Sequence, residues 1–180
     1  MSKEHFVSKS DTDINIKDLW QTPSNIFDAL NNEFDFNIDI CASEENRLCN
    51  HSFNEEYSAL EHEWNDPYNG MANAKISSAF INPPYSKTAL FLSRASEQAS
   101  KHNITVVALV NASTDTKWFA DAAKSANEVR LITGRVAFQK ADGKTANGNT
   151  KGQCIIIWRG NCKTPCNIVM IDRNELVGLK

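Results

Sequence analysis

Apolar positions recur along this chain with two alternating periods. The first 17 residues are polar, rich in Ser, Lys and Asp, and show neither period, so residues 1–17 are expected to form a flexible tail. Ile26, Phe27, Leu30 and Phe34 then fall at helical spacing, with Thr22 expected as the N-cap and Pro23 as the first helical residue. Phe36-Asn37-Ile38-Asp39-Ile40 alternates as a strand does, and Cys41-Ala42-Ser43 ends it with small side chains. Ala79-Phe80-Ile81 reads as a short buried strand. Leu90, Phe91, Ala95 and Ala99 mark a helix that Ser86 or Thr88 would cap and that ends near Lys101-His102-Asn103. Thr105–Val110 is a continuous β-branched and apolar run, as a strand buried on both faces requires. Asn111-Ala112-Ser113-Thr114-Asp115 turns into a helix carrying Trp118 and Phe119. Two further strands, Glu128–Ile132 and Cys154–Trp158, flank a polar loop over residues 140–152.

A strand, a crossover helix and a strand place Ala79–Ile81 and Thr105–Val110 in parallel. The whole alternation predicts an α/β fold with a largely parallel central sheet and an antiparallel hairpin at one edge. With 180 residues, 41% hydrophobic and 23% charged, the chain can build one core and is too short for two full domains, so residues 18–180 are expected to form a single domain. No run of about 18 apolar residues occurs, and the first residues do not lead into a signal-peptide apolar segment. A cytoplasmic protein without a membrane partner is expected. The 5 cysteines are odd in number and widely spread, which argues against a disulfide framework; Cys162 and Cys166 lack the second close pair of a zinc site and read as free thiols, so no metal is expected.

Net charge is −3, but its distribution is uneven. Residues 1–85 hold 5 basic and 15 acidic residues, whereas residues 86–159 hold 11 basic and 5 acidic. The second half is therefore the better candidate for facing phosphates. Its loop from Lys140 to Gly152 contains Lys140, Lys144 and Lys151 and no hydrophobic residue larger than alanine, so it cannot bury itself and is expected to be mobile until an anion orders it. The acidic stretch over residues 43–78 contains the turn Asp66-Pro67-Tyr68-Asn69-Gly70.

The candidate chemistry lies at Asn82-Pro83-Pro84-Tyr85. Two prolines lack backbone donors and restrict their neighbours, so the strand stops at Asn82 and presents an amide, backbone carbonyls and an aromatic ring at its carboxyl end. In open α/β sheets that end is where ligands bind. An Asn oxygen and a neighbouring carbonyl are both acceptors and together suit the two N–H groups of an exocyclic amine. Tyr85 would stack on the ring bearing that amine.

The tetrapeptide Asn82-Pro83-Pro84-Tyr85 resembles the catalytic motif of amino methyltransferases that use S-adenosyl-L-methionine (SAM), and its surroundings resemble the phage-type DNA N6-adenine methyltransferases. Supporting blocks run from Trp20 to Trp158: Trp20-x-Thr22-Pro23, Asp39-x-Cys41-Ala42, Thr114-x-Thr116-x-Trp118-Phe119 and Gly134-Arg135-x-x-Phe138. The resemblance implies a Rossmann-like methyltransferase fold with SAM as cofactor and double-stranded DNA as partner, in a monomer or weak homodimer. It implies catalytic roles for Asn82, Pro83, Pro84 and Tyr85. It places Trp20, Thr22, Pro23, Asp39, Cys41, Ala42 and Asn82 around the cofactor, with Asp39 facing its charged amino group. Arg135 and Phe138 would join Lys140, Lys144 and Lys151 on the DNA, Phe138 as a second stacking ring. The Gly-rich cofactor loop of many methyltransferases is absent here. Cytosine N4 and glutamine amides are alternative acceptors for the same motif, and a non-catalytic acidic binding protein or DNA mimic is the alternative of a different class.

Overall fold

The computed structural model describes residues 13–65, 75–146 and 149–178, so the expected turn at Asp66–Gly70 lies outside them. Seven strands, β1 (Ile38–Asp39), β2 (His51–Ser52), β3 (Ser78–Ile81), β4 (Thr105–Asn111), β5 (Glu128–Thr133), β6 (Gln153–Arg159) and β7 (Asn167–Asp172), form one sheet of order β2-β1-β3-β4-β6-β5-β7. Strand β6 runs antiparallel to both β4 and β5, and the remaining neighbours pair in parallel, as in a Rossmann-like sheet. The continuous apolar runs become its centre: β3 is buried along its whole length and β4 and β6 nearly so.

Helices cover both faces. Phe91, Leu92, Ala95 and Ala99 of α3 (Thr88–His102) and Phe119 and Ala122 of α4 (Lys117–Ser125) pack with Val106, Ala108 and Ile156 on one side. Ile26, Phe27 and Leu30 of α2 (Ser24–Phe34) pack with Phe80, Val107, Leu109, Ile155 and Ile157 on the other. Each such fully buried Leu, Ile or Phe contributes about 1.5–3 kcal/mol through removal from water. The parity of each strand thus assigns its side chains to the α3 side or the α2 side.

Several local expectations change. A helical turn, α1 (Ile14–Lys17), forms inside the stretch expected to be a flexible tail. Pro23, not Thr22, occupies the N-cap of α2, and its carbonyl accepts from Ile26 and Phe27. Neither Ser86 nor Thr88 caps α3: a 3-10 turn over Tyr85–Lys87 precedes it, Ser86 is drawn to Asp18, and the Thr88 hydroxyl donates to the Pro84 and Tyr85 carbonyls. The antiparallel hairpin forms but lies one strand in from the edge, because β7 extends the sheet beyond β5 in parallel. Short α5 (Arg173–Leu176) follows, with Asp172 accepting from the amides of Asn174 and Glu175. Among the described residues no helix is long and apolar enough to cross a membrane.

Candidate active site

Strand β3 delivers Asn82 to the carboxyl end of the sheet, where Pro83 and Pro84 bar further pairing. Asn82 Nδ2 donates to the Trp20 carbonyl at 3.5 Å. The amide is thereby oriented, and its Oδ1 accepts no hydrogen bond from any described residue. Neighbouring carbonyls differ in the same way: Pro84 O accepts from Lys87 N at 3.0 Å and Thr88 Oγ1 at 3.2 Å, while Pro83 O has no donor among the described residues. Asn82 and Tyr85 are both half-buried. Two unspent acceptors therefore sit on adjacent residues of a stiff corner.

The segment Asp18–Thr22 straps this corner from outside. Asp18 accepts from Ser86 N at 3.2 Å and Ser86 Oγ at 2.5 Å. Gln21 and Gln139 exchange backbone bonds of 2.8 and 3.0 Å. Between these ties the Trp20 ring lies edge-on to Tyr85, centroids 6.0 Å apart, and stacks at 6.3 Å on Phe138. Trp20 is buried and its Nε1 donor has no partner among the described residues. Burial first, and the nearby Asp18 carboxylate second, push the Tyr85 phenol up to about 12, so it remains neutral.

The cofactor-side residues gather at the same end. Asp39 ends β1, paired with Phe80 of β3, and is only 3% exposed. Its two oxygens accept from Cys41 N at 3.3 Å and Leu48 N at 3.2 Å. Burial raises its carboxyl to about 6 despite those two bonds. Cys41 and Ala42 are partly exposed next to it, whereas Thr22 and Pro23, at the start of α2, are buried. Burial, then the Asp39 charge, pushes the Cys41 thiol well up, so it is no ready nucleophile.

The expected DNA residues divide. Arg135, Lys140, Lys144 and Lys151 are exposed. Lys144 pairs with Asp142 at 3.3 Å, and Lys151 Nζ reaches Ser113 Oγ at 3.3 Å. Phe138 leaves this set: it is 1% exposed beneath Trp20 and has no free face for a base. Nor is the loop without an anchor. Ala146 is buried and donates to Phe138 O at 2.7 Å, and Gln139 bridges Thr145, folding residues 139–146 back on themselves. The sequence assigns no site role to Asp18, Asn111 or Gln153, and to Ser86 only that of a helix cap; the polar ends of two buried apolar runs are the sole signal for Asn111 and Gln153.

The sequence profile of the DNA N-6-adenine-methyltransferase (Dam) family matches residues 9–178. A DNA N-6-adenine-methyltransferase of Escherichia phage T1 is 31% identical, over 80% of this chain and 63% of its own length. One of Haemophilus phage HP1 (strain HP1c1) is 33% identical, over 84% of each chain. The chain thus spans just under two thirds of the phage T1 relative.

Proposed function

The chain belongs to the DNA N-6-adenine-methyltransferase (Dam) family, and from that premise we propose that it transfers the SAM methyl group to the exocyclic N6 amine of adenine in double-stranded DNA. The observation that carries this reading is the pair of unspent acceptors, Asn82 Oδ1 and Pro83 O, on a corner whose backbone two prolines restrict. An adenine N6 amine offers two N–H donors to them. Accepting both draws the amine lone pair out of conjugation with the ring and readies it for attack. Neither an amide nor a peptide oxygen is basic enough to keep a proton, so the surplus proton leaves to solvent. The contribution of the corner is chiefly positioning.

The adenine must leave the duplex stack to reach this corner, at a cost of a few kcal/mol. Stacking on Tyr85 is worth roughly 1–3 kcal/mol and offsets part of that cost. The neutral phenol adds no charge beside the incoming phosphates. Arg135, Lys140, Lys144 and Lys151 are exposed cations suited to the DNA backbone.

The residues present fit SAM. Asp39 carries a buried carboxyl held at about 6, which gains most from a cation placed beside it, and the SAM ammonium is such a group. Its oxygens, each with one backbone donor, retain lone pairs for it. Cys41 and Ala42 keep the neighbouring backbone open to a ligand, and Thr22 and Pro23 brace the wall behind Trp20. When bound, SAM supplies an electrophilic methyl on sulfur. Double-stranded DNA in the cytoplasm is the proposed working partner.

Transfer of labelled methyl from SAM to unmethylated duplex, followed by nucleoside digestion, tests the proposal. Wild type should yield N6-methyladenine, and Asn82→Ala should lose at least 100-fold in turnover while binding SAM almost normally. Label in N4-methylcytosine, or wild-type turnover by Asn82→Ala, overturns it.

A further inference from the structure

Asn82 is not the only amide on this face. Val107 and Leu109 of β4 enter the core on the α2 side, and Asn111 follows them with the same parity. Ile155 and Ile157 of β6 enter that core too, and Gln153 precedes them with the same parity. Asn111 and Gln153 face each other across the antiparallel ladder. Asn82, one residue beyond β3, joins them through its bond to Trp20, which belongs to the same core. Since Ile81 pairs with Ala108, Asn111 stands one pleat beyond the level of Asn82 on the adjacent strand. Strand spacing and rise then put the two Cα atoms on the order of 8 Å apart, a span that two converging amide side chains and an adenine edge can fill.

The orientation of this row is fixed from its buried end. Gln153 is 1% exposed, and its Nε2 donates to Asn111 Oδ1 at 2.9 Å, Lys151 O at 3.3 Å and Asn149 Oδ1 at 3.4 Å. Exchanging the ends of that amide would set an oxygen against the Lys151 carbonyl, which cannot turn away. Asn111 must therefore show its oxygen to Gln153, and its Nδ2 becomes a spare donor: it bonds to no described residue. Gln153 Oε1 is meanwhile buried without a partner among the described residues, a costly arrangement for a side chain with only a packing role.

Resting on the adenine reading above, we infer that Asn111 is a second substrate-binding residue, whose Nδ2 donates to a ring nitrogen flanking the target amine, and that Gln153 is the positioning residue that aims it. Adenine carries an acceptor, N1 or N7, on either side of the C6 amine. One Asn or Gln amide can read such a donor–acceptor edge alone. Here the task is divided: Asn82 accepts from the amine and Asn111 donates beside it. Guanine offers an oxygen at C6, so it opposes acceptor to acceptor at Asn82.

The test uses duplexes whose single target adenine is replaced by 1-deazaadenine or 7-deazaadenine, each keeping the amine but lacking one ring acceptor. On adenine, Asn111→Ala should lower kcat/KM by roughly tenfold or more, with SAM affinity unchanged. Asn111→Asp keeps the acceptor that Gln153 needs and loses the donor, so it should match Asn111→Ala while preserving the fold. On one of the two deaza duplexes wild type should slow by a similar factor and neither variant should slow further. Gln153→Met should lose that same coupling. Losses that multiply independently on both deaza duplexes overturn the inference and leave the adenine activity standing. A wild type that does not methylate adenine takes both down.

Discussion

Replacing Asp39 with Asn probes the buried carboxyl of the cofactor side. Burial lifts Asp39 from 3.8 to about 6, and the amides of Leu48 and Cys41 restrain it only in part. A folded-state value above the unfolded one means that the native protein binds more protons between the two, so stability falls as pH rises through that window. The penalty is absent below about pH 3.8, where both states are protonated, and complete above about pH 6, where both are ionised. It amounts to about 3 kcal/mol. Asp39→Asn cannot ionise; its new NH2 group opposes the Leu48 or Cys41 amide and costs roughly 1–2 kcal/mol at every pH. Urea denaturation of both proteins from pH 4 to 7.5 separates the two effects. Across that range the stability difference should move by about 2.4 kcal/mol in favour of the variant, because part of the penalty is already present at pH 4, or about 5–10 °C in Tm for a domain of this size. Saturation with SAM should flatten the wild-type dependence, because a cation beside the carboxylate draws its pKa back down. A difference between the proteins that stays constant with pH refutes the buried, unpaired carboxyl and with it the argument for the ammonium.

Substituting Lys140, Lys144 and Lys151 together by Ala should weaken duplex binding and reduce the slope of log K against log salt by up to about 2.7; an unchanged slope, read by fluorescence anisotropy, removes these side chains from the DNA face. Phe138→Ala should cost about 3–5 kcal/mol of stability by opening a cavity under Trp20, whereas Phe138→Leu should keep most of the methylation rate. A Leu variant that is stable but as inactive as the Ala variant would return Phe138 to a stacking role on the base.

The parts of the fold legible in the sequence were those in which burial writes itself into consecutive residues. Val106–Val110 and Cys154–Trp158 are apolar throughout because β4 and β6 have helices or strands on every side. Strand β2 is only His51–Ser52, and nothing in those half-buried side chains signals pairing. Strand β7 did carry a signal, Ile168-Val169-Met170-Ile171, but its Ile168 and Met170 are 58% and 65% exposed, so its apolar run does not mark a core strand. The strap over Asp18–Thr22 was legible only as Trp20 and Thr22-Pro23. Its anchoring bond from Ser86 joins residues 68 apart and needs the fold to bring them together.

The same distinction governs the site. Asn82 could be found from sequence because four successive residues carry its chemistry and two of them, both prolines, dictate the backbone. The row of amides has no such local signature, since the bond from Gln153 to Asn111 spans 42 residues. Its existence depends on β6 entering antiparallel between β4 and β5 in the register that opposes Asn111 to Gln153. A slip of one residue would send Gln153 to the α3 side and bring Gly152, which has no side chain, opposite Asn111. It would also carry Ile155 and Ile157 out of the α2-side core and drive Cys154 and Ile156 into it. Packing of the strand and aim of the amide are therefore set by one register, and the large buried area of β6 holds the orientation of a donor at its polar end.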